Sequence, residues 1–142
     1  MASPIATNVV KANIKVDSFV STSGNNVAKN LNWVDMKNFN RMLITAMTAA
    51  GSAAGLTSFK IVACTTSDGL GTVVEIKNHS LAPPLTVSRP GTLECSAEEI
   101  KQLGSNLRYV SAQIISTAAT DTVVATYVQT EPRFAHNGLT SV

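Results

Sequence analysis

One short helix enclosed between strand-like segments limits the fold more than any other feature of the sequence. Ser96-Ala97-Glu98-Glu99 has the pattern of a capping box, in which the Ser96 hydroxyl accepts the backbone N–H of Glu99 and the Glu99 side chain returns to the N–H of Ser96. Gly104 stands where a left-handed C-terminal cap is expected. A helix of about two turns is unstable alone in water, so this one must be docked on a sheet.

The docked side of this helix is predicted from its apolar positions, Ala97, Ile100 and Leu103, which share one helical face. Residues 107–117 and 122–130 follow, rich in Val, Ile, Thr and Tyr as strands are. They are separated by the four residues 118–121, a spacing typical of a hairpin. We therefore predict that these two strands pair with each other.

Earlier segments also have strand character, at 13–20, 57–65, 72–78 and 92–95. Residues 41–48 are compatible with a helix by composition, but their length and the Gly-Ser-Ala-Ala-Gly boundary at 51–55 favour a buried strand. Strands and helices do not alternate along the sequence, so a parallel sheet is not expected. The predicted core between two sheets consists of Phe59, Ile61, Val74, Ile76, Val110, Ile114 and Val124.

The fold class that follows is mainly β: an antiparallel β-sandwich, jelly-roll-like, with one short α-helix and extended terminal arms. We predict an N-terminal arm at 1–10, a β-sandwich domain at 11–131 and a C-terminal arm at 132–142. A chain of 142 residues is long enough for one domain with its own core.

Composition excludes two classes of partner. The net charge is +2 and the eleven Lys and Arg residues are scattered, which does not suit nucleic-acid binding. The longest apolar run, 42–50, is far shorter than a membrane span, and the N-terminus lacks the features of a secretory signal. Charged residues make up 14% of the chain, and low charge with abundant Thr and Val suits a β-protein whose surface is partly covered by neighbours.

No catalytic, metal or cofactor site is predicted, and we expect the chain not to be an enzyme. Cys64 and Cys95 are expected to be buried free thiols, although spacing alone leaves a disulfide open. Either cysteine with His79 would supply the residue types of a hydrolase, but no nucleophile motif surrounds them. The two His and two Cys residues are too dispersed for metal-ligand spacing.

The pattern from about residue 32 to 134 resembles the head decoration (cement) proteins of tailed bacteriophages. The segments that carry the resemblance are 42–44, 59–64 with the Asp68-Gly69 turn, 92–95, 107–111 and the closing aromatic–Pro–Arg stretch 127–134. The resemblance implies a non-catalytic subunit made in the host cytoplasm and located on the capsid surface of the virion. Its partners would be the major capsid protein and copies of itself, in a homo-oligomer.

Two alternatives remain open. Within the same class, the chain would be a neck, tail or fibre β-module of a phage. In a different class, it would be a carbohydrate-binding or hydrolytic module. Sugar binding usually needs several exposed aromatic side chains, and Trp33 is the single Trp. A buried Trp33 would oppose the sugar-binding alternative, and a Trp33 lining a groove would favour it.

The two arms are predicted to carry the binding. They contain too little periodic apolar sequence to pack on their own domain, and Pro4 and Pro132 suit extended segments. Such segments become ordered when they add to a partner's sheet edge or groove. The predicted protein-binding residues are Ile5, Val9, Val10, Arg133, Phe134 and Leu139.

Overall fold

The computed structural model describes residues 15–22, 26–49, 55–79, 85–86, 89–118 and 120–133. The predicted arm 1–10 lies outside these residues, as does the predicted arm 132–142 apart from Pro132 and Arg133. The described elements are β1 (Lys15–Thr22), β2 (Lys29–Asn30), β3 (Val34–Asp35), β4 (Phe39–Thr48), β5 (Leu56–Cys64), β6 (Val73–Asn78), β7 (Gly91–Ser96), α1 (Ala97–Leu103), β8 (Tyr109–Ser116) and β9 (Thr122–Pro132).

The strands form two antiparallel sheets, as predicted. One has four strands in the order β1-β9-β4-β7. The other has the order β2-β8-β5-β6, and β3 also pairs with β8. When the broken pair β2 and β3 is counted as one strand, eight strands divide four and four, with the connectivity of a jelly roll. The ambiguous segment 41–48 lies in β4, an inner strand between β9 and β7, so the preferred strand interpretation is confirmed.

The predicted hairpin is wrong. β8 pairs with β2, β3 and β5 in one sheet, whereas β9 pairs with β1 and β4 in the other. The intervening residues therefore carry the chain across the sandwich and do not close a two-stranded turn. Asp121, which is fully buried, fixes this crossing by accepting the Ser116 hydroxyl (2.6 Å) and the N–H of Gly55 (3.1 Å).

The core lies between the sheets and agrees with most of the prediction. Phe59, Ile61, Val110 and Ile114 are fully buried. The two predicted residues of the edge strand β6, Val74 and Ile76, are only partly buried and pack against the core. The prediction of Val124 is wrong, since the inward-facing residues of β9 are Val123, Ala125, Tyr127 and Gln129.

The capping box of α1 is confirmed. Glu99 N–H donates to Ser96 Oγ (3.1 Å), and Ser96 N–H donates to Glu99 Oε2 (2.7 Å). Ala97 and Ile100 are buried, but Leu103 is 53% exposed, which contradicts its predicted place on the docked face. Gly104 ends the helix with an extended φ of 177°, so the expected left-handed cap is absent there. The chain turns back at Gly104, and Leu107 becomes the next buried side chain.

Replacing Ser96 with Ala is expected to lower the free energy of unfolding by about 0.5–2 kcal/mol, because the N–H of Glu99 loses its acceptor at the helix start. Chemical denaturation measures the change. Ser67→Ala is the matched control, since Ser67 is exposed in the loop between β5 and β6. Equal stability of the two variants would show that the cap contributes nothing.

Candidate interaction surfaces

The residue types of a cysteine hydrolase are present but separated. Cys64 ends β5, whereas His79 donates its N–H to the carbonyl of Phe59 and stacks on the Phe59 ring, with centroids 6.1 Å apart. Five residues along an antiparallel strand span about 17 Å, so Cys64 and His79 do not form a catalytic pair. Burial raises the pKa of the Cys95 thiol to about 12, which keeps it protonated at neutral pH. Both cysteines are free thiols, as predicted.

The described residues also lack the groupings that other site classes need. Among them, no three His, Cys, Asp or Glu side chains are gathered in a way that would hold a metal ion. No helix in this part of the chain has the length and apolar character required to cross a membrane.

The outer side of the four-stranded sheet is one candidate surface. Strand register places three cross-strand rows there: Val16, Val128 and Leu43; Ser18, Thr126, Thr45 and Thr92; and Val124 with Met47. These nine residues form what we call the Thr–Val face. None of them is charged, and the charged Glu94 of β7, which pairs with Leu43, borders the face. Val16 is 58% exposed and Leu43 38% exposed.

The hydroxyl groups of the Thr–Val face bond to one another. Thr45 Oγ1 lies 3.1 Å from Thr92 Oγ1, and Ser18 Oγ lies 3.4 Å from Thr126 Oγ1. A covered hydroxyl costs free energy when it has no partner. Because these hydroxyls pair across strands, each pair already satisfies one O–H donor, and another protein that covers the face need supply an acceptor only for the second O–H of each pair.

Charged residues are found at one end of this face. Arg41 contacts Glu94 (Nη1 to Oε1, 2.6 Å) and Glu131 (Nε to Oε1, 2.9 Å), and all three side chains are about half exposed. Exposed ion pairs contribute little to stability. The cluster instead marks the polar boundary of the uncharged surface.

A second candidate surface is an open pocket of about 400 Å³ beside α1, which we call the basic pocket. Its twelve lining residues are Met36, Lys37, Thr65, Ala97, Ile100, Lys101, Ser105, Asn106, Leu107, Arg108, Tyr109 and Arg133. Four of them are basic and none is acidic. Asp35, just outside the pocket, accepts Arg108 Nε at 2.7 Å, and this guanidinium lowers the pKa of the Asp35 carboxyl.

Arg133 is the one predicted binding residue within the described part of the chain. Its N–H donates to the carbonyl of Asn38 (2.9 Å) and its Nε to the carbonyl of Phe39 (3.2 Å), so it is anchored to the start of β4 at the edge of the basic pocket. The other five residues, Ile5, Val9, Val10, Phe134 and Leu139, lie outside the described residues.

Trp33 is half-buried beside the loop between β5 and β6. Gly69 has a φ of +76°, which favours glycine, and a Cβ added there would overlap the indole ring. The ring thus packs against the Asp68-Gly69 turn. Packing of this kind opposes sugar binding, which would use an exposed ring on which a sugar could stack.

Comparison with models of protein families and with curated proteins found no match. Among solved structures, the chain is similar to YomS, a protein derived from the SPBc2 prophage, with 13% identity over 82% of this chain and 95% of that one (TM-score 0.44). It is also similar to a chain of the disulfide-linked pili that form Bacillus endospore appendages, with 15% identity over 83% and 88% (TM-score 0.40).

A chain of infectious bursal disease virus, Gt strain, is similar at 13% identity over 89% of this chain and 34% of that one (TM-score 0.42). These identities are low and the TM-scores lie below 0.5. We therefore assign no function from these likenesses.

Proposed function

We propose that this chain is a structural virion protein, a capsid cement subunit that binds the major capsid protein and copies of itself and stabilises the lattice without catalysis. The observation that carries the proposal is the Thr–Val face. Its nine residues are uncharged, its central row crosses all four strands of the sheet, and its hydroxyls are paired within the sheet. The cores of protein–protein interfaces are depleted in charged residues, as this face is.

The size of the face indicates that it is the centre of an interface and not the whole of it. Four strands about 4.8 Å apart and five residues long cover roughly 320 Å². A stable interface buries about 800 Å² on each partner. Further contacts must therefore come from elsewhere in the chain.

The terminal arms are the proposed source of these contacts. Ile5, Val9 and Val10 in one arm, and Phe134 and Leu139 in the other, provide apolar side chains that would add to a neighbour's sheet edge or groove. Arg133 joins the second arm to the domain through its two hydrogen bonds at the start of β4. In this arrangement the face packs on one subunit while the arms reach its neighbours.

The test is the incorporation of variants into particles assembled with the major capsid protein, followed by electron microscopy of the purified particles. We expect the native chain to appear on the outer capsid surface. The double variant Val16→Lys/Met47→Lys places two charges on the Thr–Val face, where their cross-strand partners Val128 and Val124 are apolar. It is expected to reduce incorporation at least about tenfold, since burying unpaired charge is costly. Leu70→Lys is the control, because Leu70 is 87% exposed in a loop away from this face.

Deleting 1–10 and, separately, 134–142 is expected to weaken incorporation while leaving thermal unfolding of the isolated domain nearly unchanged. The second deletion keeps Pro132 and Arg133, whose bonds to β4 belong to the fold. Absence of the native chain from particles would refute the proposal. Normal incorporation of the double lysine variant would show that the Thr–Val face is not the contact.

A further inference from the structure

The basic pocket has an apolar floor. Met36 follows β3, Ile100 projects from α1, and Leu107 precedes β8, and they are 2%, 2% and 7% exposed respectively. These side chains belong to the core cluster but also line the pocket. An apolar group entering the pocket would therefore contact hydrocarbon that is continuous with the protein interior.

The rim of the pocket is positively charged. Four of the eleven Lys and Arg residues of the chain line it: Lys37, Lys101, Arg108 and Arg133. Arg108 is neutralised by Asp35 and lies over the Tyr109 ring, 5.3 Å from its centroid.

The other cations of the rim are less compensated. Within the described residues, neither Lys37 nor Lys101 forms an ion pair, and Arg133 is bound through Nε to a backbone carbonyl. Two acidic residues lie near these cations. Asp35 accepts the backbone N–H of Lys37 through Oδ1 (2.8 Å), and Glu98 lies in an adjoining depression that Lys101 and Arg133 also line. The pocket thus keeps an excess of positive charge above an apolar floor.

We infer that the basic pocket binds an acidic peptide segment of a partner protein. Carboxylate side chains of the segment would lie against Lys37, Lys101 and Arg133, and an adjacent apolar side chain would occupy the Met36, Ile100 and Leu107 floor. This assignment deepens the proposed function, on which it rests for the identity of the partner, by giving the chemistry of one contact between cement subunit and lattice.

Charge and shape together favour a peptide over a nucleic acid. Single-stranded nucleic acid is held by a groove that follows its backbone and by aromatic rings on which bases stack. The pocket has one aromatic residue, Tyr109, and Arg108 already lies over its ring. A closed apolar floor beside three cations instead matches a segment in which acidic and apolar side chains alternate.

The experiment uses the full-length chain and two acetylated, amidated peptides, Ala-Glu-Leu-Glu-Phe-Glu and its neutral counterpart Ala-Gln-Leu-Gln-Phe-Gln. Titration followed by NMR gives the affinity and the residues affected. We expect the Glu peptide to bind at least about tenfold more tightly than the Gln peptide at low salt, and to weaken as ionic strength rises from about 0.05 M to about 0.5 M. The shifted amides are expected to include those of Lys37, Lys101 and Leu107.

Lys37→Glu/Lys101→Glu is expected to weaken binding of the Glu peptide at least about tenfold, and Lys37→Gln/Lys101→Gln to weaken it less. Arg89→Glu, an exposed cation outside the pocket, is the control and should bind as the native chain does. Equal affinity for both peptides, or native binding by the Lys37→Glu/Lys101→Glu variant, would overturn the assignment. So would tighter binding of an oligo-dT strand at the same residues.

These titrations need no capsid, so their outcome is separate from that of particle incorporation. If the chain is absent from particles but the Glu peptide binds as expected, the pocket assignment stands and its partner lies elsewhere. If the chain is incorporated but the Glu peptide fails to bind, the cement function stands and the pocket assignment falls.

Discussion

Replacing Tyr127 with Ala is expected to lower the free energy of unfolding by about 3–5 kcal/mol, the range for removing a large buried aromatic side chain. Tyr127 is fully buried on the inner face of β9 and is the largest of the fully buried side chains among the described residues. Its hydroxyl accepts the N–H of Ala112 (2.7 Å), which belongs to the opposite sheet. The side chain therefore fills the core and joins the two sheets by a hydrogen bond.

The position of Ala112 explains why this bond matters. β8 pairs with β2 as far as Asn30 and with β3 from Val34, so Ala112 faces the gap between the two short strands. In that gap the carbonyl of Ala112 accepts the N–H of Leu31 (2.9 Å), and the N–H of Ala112 donates to the Tyr127 hydroxyl. Burial raises the pKa of Tyr127 to about 12, so the hydroxyl stays neutral near physiological pH.

Tyr127→Phe separates the bond from the packing. It is expected to cost about 1–3 kcal/mol, because the N–H of Ala112 is left buried without its acceptor. Urea denaturation of both variants gives the two contributions. Tyr109→Phe serves as the control, since Tyr109 is half-buried at the surface end of β8. If Tyr127→Phe is as stable as Tyr109→Phe, the hydroxyl does not join the sheets.

Replacing Asp121 with Ala is expected to cost about 2–5 kcal/mol. The carboxylate is fully buried and accepts two hydrogen bonds, from the Ser116 hydroxyl and the N–H of Gly55. Each buried donor left without an acceptor costs about 1–3 kcal/mol. Because Ser116 ends β8 and Gly55 precedes β5, the loss would loosen the crossing from one sheet to the other.

Thr120→Ala is the matched control for Asp121→Ala, since Thr120 is exposed in the same connection and surface substitutions usually change stability by under about 0.5 kcal/mol. Amide hydrogen exchange adds a local readout: protection of Gly55 should fall in the Asp121 variant. An Asp121→Ala chain as stable as Thr120→Ala would show that the crossing is held by other contacts.

Features governed by neighbouring residues could be predicted from the sequence. The capping box depends on atoms three residues apart, and Ser96 and Glu99 make both of its bonds. The strands β5, β6, β8 and β9 follow runs of β-branched and aromatic residues, whose preference for extended backbone is largely local. The sandwich then follows, because a two-turn helix and several amphipathic strands bury their apolar sides only between sheets.

Which side of each strand is buried, and which strands pair, depended on residues that are distant in the sequence. Two alternating sets of side chains along β9 are each compatible with the buried side of the strand. One set is Val123, Ala125 and Tyr127, and the other is Val124, Thr126 and Val128. A shift of one residue in register exchanges the two sets. The Tyr127 bond to Ala112 favours the first set, and the second becomes part of the Thr–Val face. Composition predicts a surface partly covered by neighbours, but it does not say which face of the domain that surface is.

The crossing from β8 to β9 and the basic pocket also depend on residues that are distant in the sequence. A four-residue connection between two strands is typical of a hairpin, yet the buried Asp121 contacts Gly55, 66 residues away, and the strands join different sheets. Lys37, Lys101, Arg108 and Arg133 are dispersed in the sequence and meet where α1, the turn after β3 and the end of β9 converge. The sequence determined the elements because their signals act over a few residues. Their assembly was decided by tertiary structure, because the free energy of burying one face or pairing one polar group depends on residues far along the chain.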